Sequence, residues 1–167
     1  EAKDDLAIKT AVGVNFWRPE WCLGQFRFPS ANTKLDLPEM TIKEAKEKGA
    51  KTFVIGVVNA GGVMSDGWRE VILDAINAGM DIASGMHSKL SSYPEFESAA
   101  KKKNTKLHDL RFNQKIFDTG KGIKRTGKRL LTVGTDCSVG KKYTALAIEK
   151  SLKANNINAN FKATGQT

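Results

Sequence analysis

Apolar positions along the first two thirds of the chain alternate between a helical period and short unbroken runs. Thr52-Phe-Val-Ile-Gly-Val-Val58 is apolar at nearly every position and bounded by turn residues, the pattern of a strand covered on both faces. Asn59-Ala-Gly-Gly62 breaks the run. The next segment puts Trp68, Val71, Ile72, Ala75 and Ile76 on one stripe, which predicts a helix stopped by Gly79. Met80-Asp-Ile-Ala-Ser84 predicts a short strand, after which Gly85-Met-His87 turns the chain. Pro94 suits the first turn of a further helix that runs into Lys101-Lys102-Lys103. Lys106-Leu-His-Asp-Leu-Arg-Phe112 predicts another strand. Upstream, Leu6 to Val14 is amphipathic like a helix already under way, and Thr41-Ile-Lys-Glu44 is a capping box for a helix that ends at Gly49. Strand, helix, strand, helix, strand predicts an α/β fold built on a doubly wound parallel sheet.

Residues 113–127 change character, with Asn, Gln, Asp, Thr, three Gly and several Lys but little apolar content. A domain boundary is expected there: a first domain over 1–115, a linker over 116–127 and a second domain beginning at 128 and running to 167. The second opens with a strand candidate, Arg129-Leu-Leu-Thr-Val133. A helix follows from Gly140 to about Ala154 with Ala145, Ile148 and Leu152 inward, and a last strand is expected over Ile157 to Ala163. Two strands and one helix cannot cover both faces of a parallel sheet, so a further C-terminal segment or another chain is expected to complete this domain.

Composition narrows the classes. The apolar stretches are strand-sized, too short for a membrane-spanning helix, and nothing at the start reads as a secretion leader. Cys22 and Cys137 are the only cysteines, neither a disulfide framework nor a zinc set, and no metal site is expected. A reducing cytoplasm is the expected location. The net charge of +9 raises a nucleic-acid partner. Its two clusters, 101–103 and 121–129, lack the interleaved aromatic residues that stack bases, so nucleic acid is not the expected partner. Lysines in a last helical turn suit the helix dipole, and the second cluster is read either as solvated linker or as a steering field for an anionic small ligand.

The chemistry concentrates in Gly134-Thr-Asp-Cys-Ser-Val-Gly-Lys141, between a strand candidate and a helix. Backbone N–H groups in such a turn, joined to a helix N-terminus, form a positive concavity for phosphate oxygens. Gly134, Thr135, Asp136, Cys137, Ser138, Val139, Gly140, Lys141 and Lys142 are therefore the expected cofactor-binding residues. Two departures from the G-x-x-x-x-G-K-[ST] pattern bear on the ligand. Five residues separate Gly134 from Gly140, and Lys142 stands where a Ser or Thr hydroxyl normally holds magnesium. Thr144, two residues on, projects about 200° away around a helix and is a poor substitute. Phosphate binding without magnesium is expected; ATP with magnesium is the weaker alternative, and an ordinary glycine-rich turn is the bland one.

This loop resembles that of dethiobiotin synthetase in its Gly-Thr-Asp start and Val-Gly-Lys end. A broader resemblance covers nearly the whole chain. Trp17-Arg-Pro-Glu20, Gly24-Gln-Phe-Arg27, Val54-Ile-Gly-Val57, Asn59-Ala-Gly-Gly-Val63, Ala83-Ser-Gly-Met-His87, Leu107-His-Asp-Leu-Arg111, the run from Gly127 to Cys137, and Ala163-Thr-Gly-Gln-Thr167 together resemble the D-glutamate N-acetyltransferase family. The resemblance implies a Rossmann-like first domain followed by the beginning of a P-loop NTPase-like α/β domain. It also implies acetyl-CoA as co-substrate and acetyl transfer to the amine of D-glutamate. Family members are about twice this length, which implies a strand before Glu1 and the rest of the P-loop domain after Thr167. A small amino-acid partner and a homo-oligomeric state are expected, and the fragment alone is expected to be inactive. The rivals are an ATP- and magnesium-dependent ligase or kinase like dethiobiotin synthetase, and a non-enzymatic basic module that binds nucleotides or nucleic acid.

Further candidates follow from that chemistry. Asn59, Gly61 and Gly62 close a buried strand run, where open α/β sheets bind ligands; they either receive the glutamate carboxylates or simply make a tight turn. Amide formation needs a base for the substrate ammonium, and His87, in the loop after the second strand, is that base or a polar surface residue. His108 reads as structural. Cys137 lines the loop or offers an activated thiolate, and Asp136 orients a ligand amine or caps the helix. Arg18, Gln25 and Arg27 surround Trp17 and Trp21, either to bind a carboxylate or, as arginines commonly do, to pack on the indoles.

Overall fold

The computed structural model describes residues 2, 5, 7–57, 64–112, 120–124, 126–135 and 139–163. The chain divides into two compact units, residues 1–112 and 113–167.

In the first unit three parallel strands, β1 (Thr52–Ile55), β2 (Asp81–Ser84) and β3 (Leu107–Asp109), lie in that order across one sheet. Phe53 stands opposite Ile82, Ile82 opposite Leu107, and Ser84 opposite Asp109. Parallel neighbours need a crossover. Helix α3 (Asp66–Asn77) supplies it between β1 and β2, and helix α4 (Pro94–Lys103) between β2 and β3. The predicted stripe of α3 is the buried one, with Ile72, Ala75 and Ile76 at most 2% exposed. These residues pack with Met80, Ile82, Leu90 and Phe96 in the core. Pro94 opens α4 as expected, and Asn104 ends it in the left-handed region at φ 53°.

Upstream lie helices α1 (Lys9–Trp17) and α2 (Ile42–Glu47). The capping box of α2 is formed: Glu44 N–H donates to Thr41 Oγ1 at 3.2 Å, and Thr41 N–H donates to Glu44 Oε2 at 2.8 Å. α1 begins three residues later than the amphipathic run. It docks on the end of β1 through Ala11 N–H donating to the Gly56 carbonyl at 3.0 Å. Gly56 is required there: a Cβ at this position would lie 2.5 Å from Ala11 Cβ.

β1 departs from the expectation of a strand covered on both faces, because Val54 is 44% exposed. Among the described residues it is an edge strand, and the space beside it is an apolar cavity of about 710 Å³ bordered by Val14, Phe26, Met40, Val57 and Trp68. The expected strand at 106–112 is shorter than its apolar run, since the ladder stops where β2 stops. Leu110 N–H makes the last bond, to the Ser84 carbonyl at 2.9 Å.

The second unit contains helix α5 (Lys141–Ala154). The segments 129–133 and 157–163, expected as strands, join no ladder among the described residues. Leu130 and Leu131 are each 69% exposed and Val133 is 79% exposed. An apolar run becomes a strand only when a neighbour takes up its backbone hydrogen bonds. Ala145, Ile148 and Leu152 are half-buried as predicted, but the buried position on α5 is Glu149. Its Oε1 accepts from Lys153 Nζ and from Phe161 N–H, both at 2.9 Å, and so binds the downstream segment to the helix. Among the described residues no helix is long and apolar enough to cross a membrane.

Candidate functional site

Gly140 is the N-cap of α5 and takes φ 92°, a left-handed conformation that L side chains rarely adopt. This turn lets the chain enter the helix directly from the loop, with Lys141 as the first helical residue. On the other side of the loop Thr132 Oγ1 donates to the Lys141 carbonyl at 2.9 Å, so residues 132 and 141 are drawn together. Gly134 then faces the closing residues. A Cβ there would meet Val139 Cγ2 at 2.7 Å and Lys141 Cγ and Cδ at 3.2 and 3.3 Å. Among the described residues, Thr132 and Gly134 therefore lie close to Val139 and Lys141, with Lys141 beside the helix N-terminus. Such an arrangement concentrates positive potential and suits a phosphate. Gly134, Thr135 and Val139 are exposed, Gly140 and Lys141 half-buried, and Lys142 exposed. Asp136, Cys137 and Ser138 lie outside the described residues.

The donor set does not suit magnesium. Lys142 has no acceptor oxygen, and the Thr144 hydroxyl turns back to the Gly140 carbonyl at 3.2 Å. Among the described residues, position 142 thus offers no hydroxyl where the usual pattern places one for a cation.

In the first unit the C-terminal ends of the strands form the edge at which α/β sheets take ligands. His87 is exposed on the loop after β2, at this edge. Its neighbours Met86 and Leu90 are buried, at 7% and 0% exposure, so the loop is anchored on both sides of the histidine. Asn59, Gly61 and Gly62, expected at the same edge after β1, lie outside the described residues. His108 faces elsewhere: its Nε2 is 3.3 Å from Asp81 Oδ2 at the start of β2. The Asp81 carboxyl is held below the usual carboxylate range, first by the Lys106 N–H at 2.8 Å and then by His108. That pair braces the far end of the sheet, the structural role expected of His108.

The tryptophan-flanked polar set is also structural. The Arg18 guanidinium lies 5.6 Å from the Trp21 ring centroid and donates to the Trp17 carbonyl at 2.7 Å. Gln25 Nε2 donates to the Leu35 and Leu37 carbonyls at 2.8 and 2.7 Å. Arg27 donates to Glu39 Oε1 at 3.0 Å and to the Ala31 and Thr33 carbonyls at 3.0 and 3.1 Å. Together they fasten the loop of residues 25–39. Burial, and then the negative charge of Glu20, push the Cys22 thiol upward, which makes it a poor nucleophile. Sequence reasoning passed over Asp109 and Thr132. The one available signal for Asp109 was an acidic residue at the C-terminal end of a strand, directly before a turn.

Comparison with known proteins adds to this geometry. Residues 28–113 match the model of a Rossmann-like domain of unknown function, DUF1611_N, and residues 116–167 match the P-loop domain of DUF1611. The chain is 49% identical over 166 residues to a D-glutamate N-acetyltransferase of Pseudoalteromonas sp, covering 99% of this chain and 50% of the relative. It is 47% identical over 167 residues to a D-glutamate N-acetyltransferase of Tritonibacter scottomollicae, covering 100% of this chain and 50% of the relative. The chain thus spans about half the length of the curated relatives it matches. A crystal structure of a DUF1611 family protein from Anabaena variabilis is similar with a TM-score of 0.67 and 27% identity, over 96% of this chain and 50% of that one.

Proposed function

Because this chain belongs to the DUF1611 family, with a Rossmann-like and a P-loop domain, we propose that it forms part of an N-acetyltransferase that moves an acetyl group from acetyl-CoA to the amine of D-glutamate. The observation that carries the reading is the close approach of Gly134 to Val139 and Lys141 where Gly140 opens a helix. Coenzyme A has a pyrophosphate and a ribose phosphate, and a cradle of N–H groups with Lys141 at its rim binds either without a metal. The two relatives named D-glutamate N-acetyltransferase supply the acceptor.

The reaction sets the remaining roles. The substrate ammonium loses a proton to a base, for which His87 is the candidate. The free amine attacks the thioester carbonyl, and backbone donors stabilise the oxyanion of the tetrahedral intermediate. The carbon–sulfur bond then breaks, and the proton that the attacking nitrogen sheds as the amide forms goes to the leaving thiolate. Asn59, Gly61 and Gly62 are the candidates for receiving the substrate carboxylates.

The test uses the full-length protein. Titration calorimetry is expected to show tighter binding of acetyl-CoA than of ATP with magnesium, and mass spectrometry is expected to show N-acetylated D-glutamate. Tighter binding of ATP with magnesium, together with release of ADP or phosphate, would replace this reading with the ligase or kinase.

A further inference from the structure

The loop that carries His87 is held by a residue to which the reaction above gives no part. Asp109, the last residue of β3, reaches across to the chain after β2. Its Oδ1 accepts the Leu90 N–H at 2.6 Å, and its Oδ2 accepts the Ser91 hydroxyl at 2.8 Å and the Ser91 N–H at 3.3 Å. The other end of the loop is held as well. Met86 N–H donates to the hydroxyl of Ser84, itself only 2% exposed, at 3.1 Å. Leu110 N–H, next to Asp109, donates to the Ser84 carbonyl at 2.9 Å, so both fastenings refer to the same strand ends. Between them Lys89 Nζ rests 4.9 Å from the centroid of the Phe112 ring.

We propose that Asp109 is a positioning residue for catalysis: its carboxylate sets the loop of residues 85–89 so that His87 is presented at the strand-end edge in one fixed place. The proposal rests on the reading of His87 as general base. Three donors converge on Asp109, and a carboxylate offers only acceptors, so it takes all three at once. An amide in its place turns one side into a donor. Bonds of this type hold a reactive side chain within the narrow tolerance that proton transfer demands. The loop itself is short, with Met86 and Leu90 sunk in the core and His87 exposed between them. Freeing one fastening lets the histidine wander while the core anchors stay.

The experiment compares Asp109→Ala, Asp109→Asn, His87→Gln and the double variant Asp109→Ala/His87→Gln, all in the full-length protein. It reads kcat and KM for D-glutamate together with hydrogen exchange of residues 85–91. His87→Gln is expected to lower kcat by at least about 100-fold, the usual worth of a general base. Asp109→Ala is expected to lower kcat by on the order of 100-fold, as misplacement of a reacting group does, with KM little changed and faster exchange in the loop. Asp109→Asn, which keeps one acceptor, is expected to recover part of the rate. In the double variant Asp109→Ala is expected to add nothing to the loss from His87→Gln, because it acts only through that side chain. Faster exchange with wild-type kcat overturns the positioning role while leaving His87 as the base. So does an equal further loss in the His87→Gln background. Full activity of His87→Gln removes the base itself and this proposal with it. Should Asp109→Ala fail to fold, Asp109→Asn carries the same comparison.

Discussion

Adding one methyl group at Gly134 separates the role of the loop in binding from its role in folding. The Gly134 backbone is not in the left-handed region, so alanine is limited there only by space. Its Cβ would sit 2.7 Å from Val139 Cγ2 and 3.2 Å from Lys141 Cγ. Carbon atoms prefer about 3.5–4.0 Å, so Val139 must move by close to 1 Å and Lys141 by a few tenths. Val139 is 53% exposed and can turn to another rotamer, at a cost of about 0.5–1.5 kcal/mol at most. The midpoint of urea unfolding should therefore barely shift. Binding should suffer much more, because the methyl group fills the mouth of the bend and pushes the lysine stem off its path. Losing one charge-assisted hydrogen bond costs about 1.5–3 kcal/mol. By the affinity relation that weakens acetyl-CoA about 10- to 150-fold. Calorimetry on the full-length Gly134→Ala variant checks the affinity, and urea unfolding checks the fold. Wild-type affinity for acetyl-CoA in a variant that folds normally refutes the argument that this bend holds the coenzyme.

Two further substitutions test the frame around the site. Gly56→Ala pushes a Cβ to 2.5 Å from Ala11 Cβ and 3.2 Å from Ala11 Cα, where backbone must yield. Destabilisation of about 1–3 kcal/mol in urea unfolding is expected, with acetyl-CoA affinity in the full-length protein unchanged; an unaltered midpoint counts against the close approach of α1 to β1. Asp81 predicts a pH effect. Its folded-state carboxyl is held low, chiefly by the Lys106 N–H, so the stability it adds is complete above the unfolded carboxylate range. That stability drains away as pH falls through the depressed folded-state value. Asp81→Asn should lose less stability than the wild type between neutral and acid pH, and parallel losses in the two proteins would contradict the assignment.

How much of this was legible depends on the range of each interaction. The capping box of Thr41 and Glu44 spans three residues, and it forms as its spacing predicts. The α3 stripe buries the residues its period selects, because a helix turns its own apolar face inward wherever it docks. The turn at Gly140 was readable from glycine alone, since few other residues take that backbone. The candidate site was legible to the same depth: the loop by its glycines and lysine, and the loop after β2 by a lone histidine. What holds that second loop was not legible. Asp109 meets Leu90 across nineteen positions, and Asp81 meets His108 across twenty-seven. Nothing in the local pattern distinguishes Asp81 from an acid on the surface, and the one local cue for Asp109 is its place at the end of a strand before a turn.

By itself the amino-acid order determined where strands and helices alternate between residues 52 and 109, which face of α3 is buried, and that a glycine turn opens α5. Those features follow from side-chain period, from caps, and from the backbone freedom of glycine, all of which act over a few residues. Tertiary structure alone decided that, among the described residues, β1 is an edge strand with Val54 exposed and the apolar run from Leu130 to Val133 joins no ladder, and that Glu149 is the buried position on α5. Each of these turns on whether another segment arrives to take up a hydrogen bond or cover a face. That condition is set by distant parts of the chain and leaves no trace in the local order of residues.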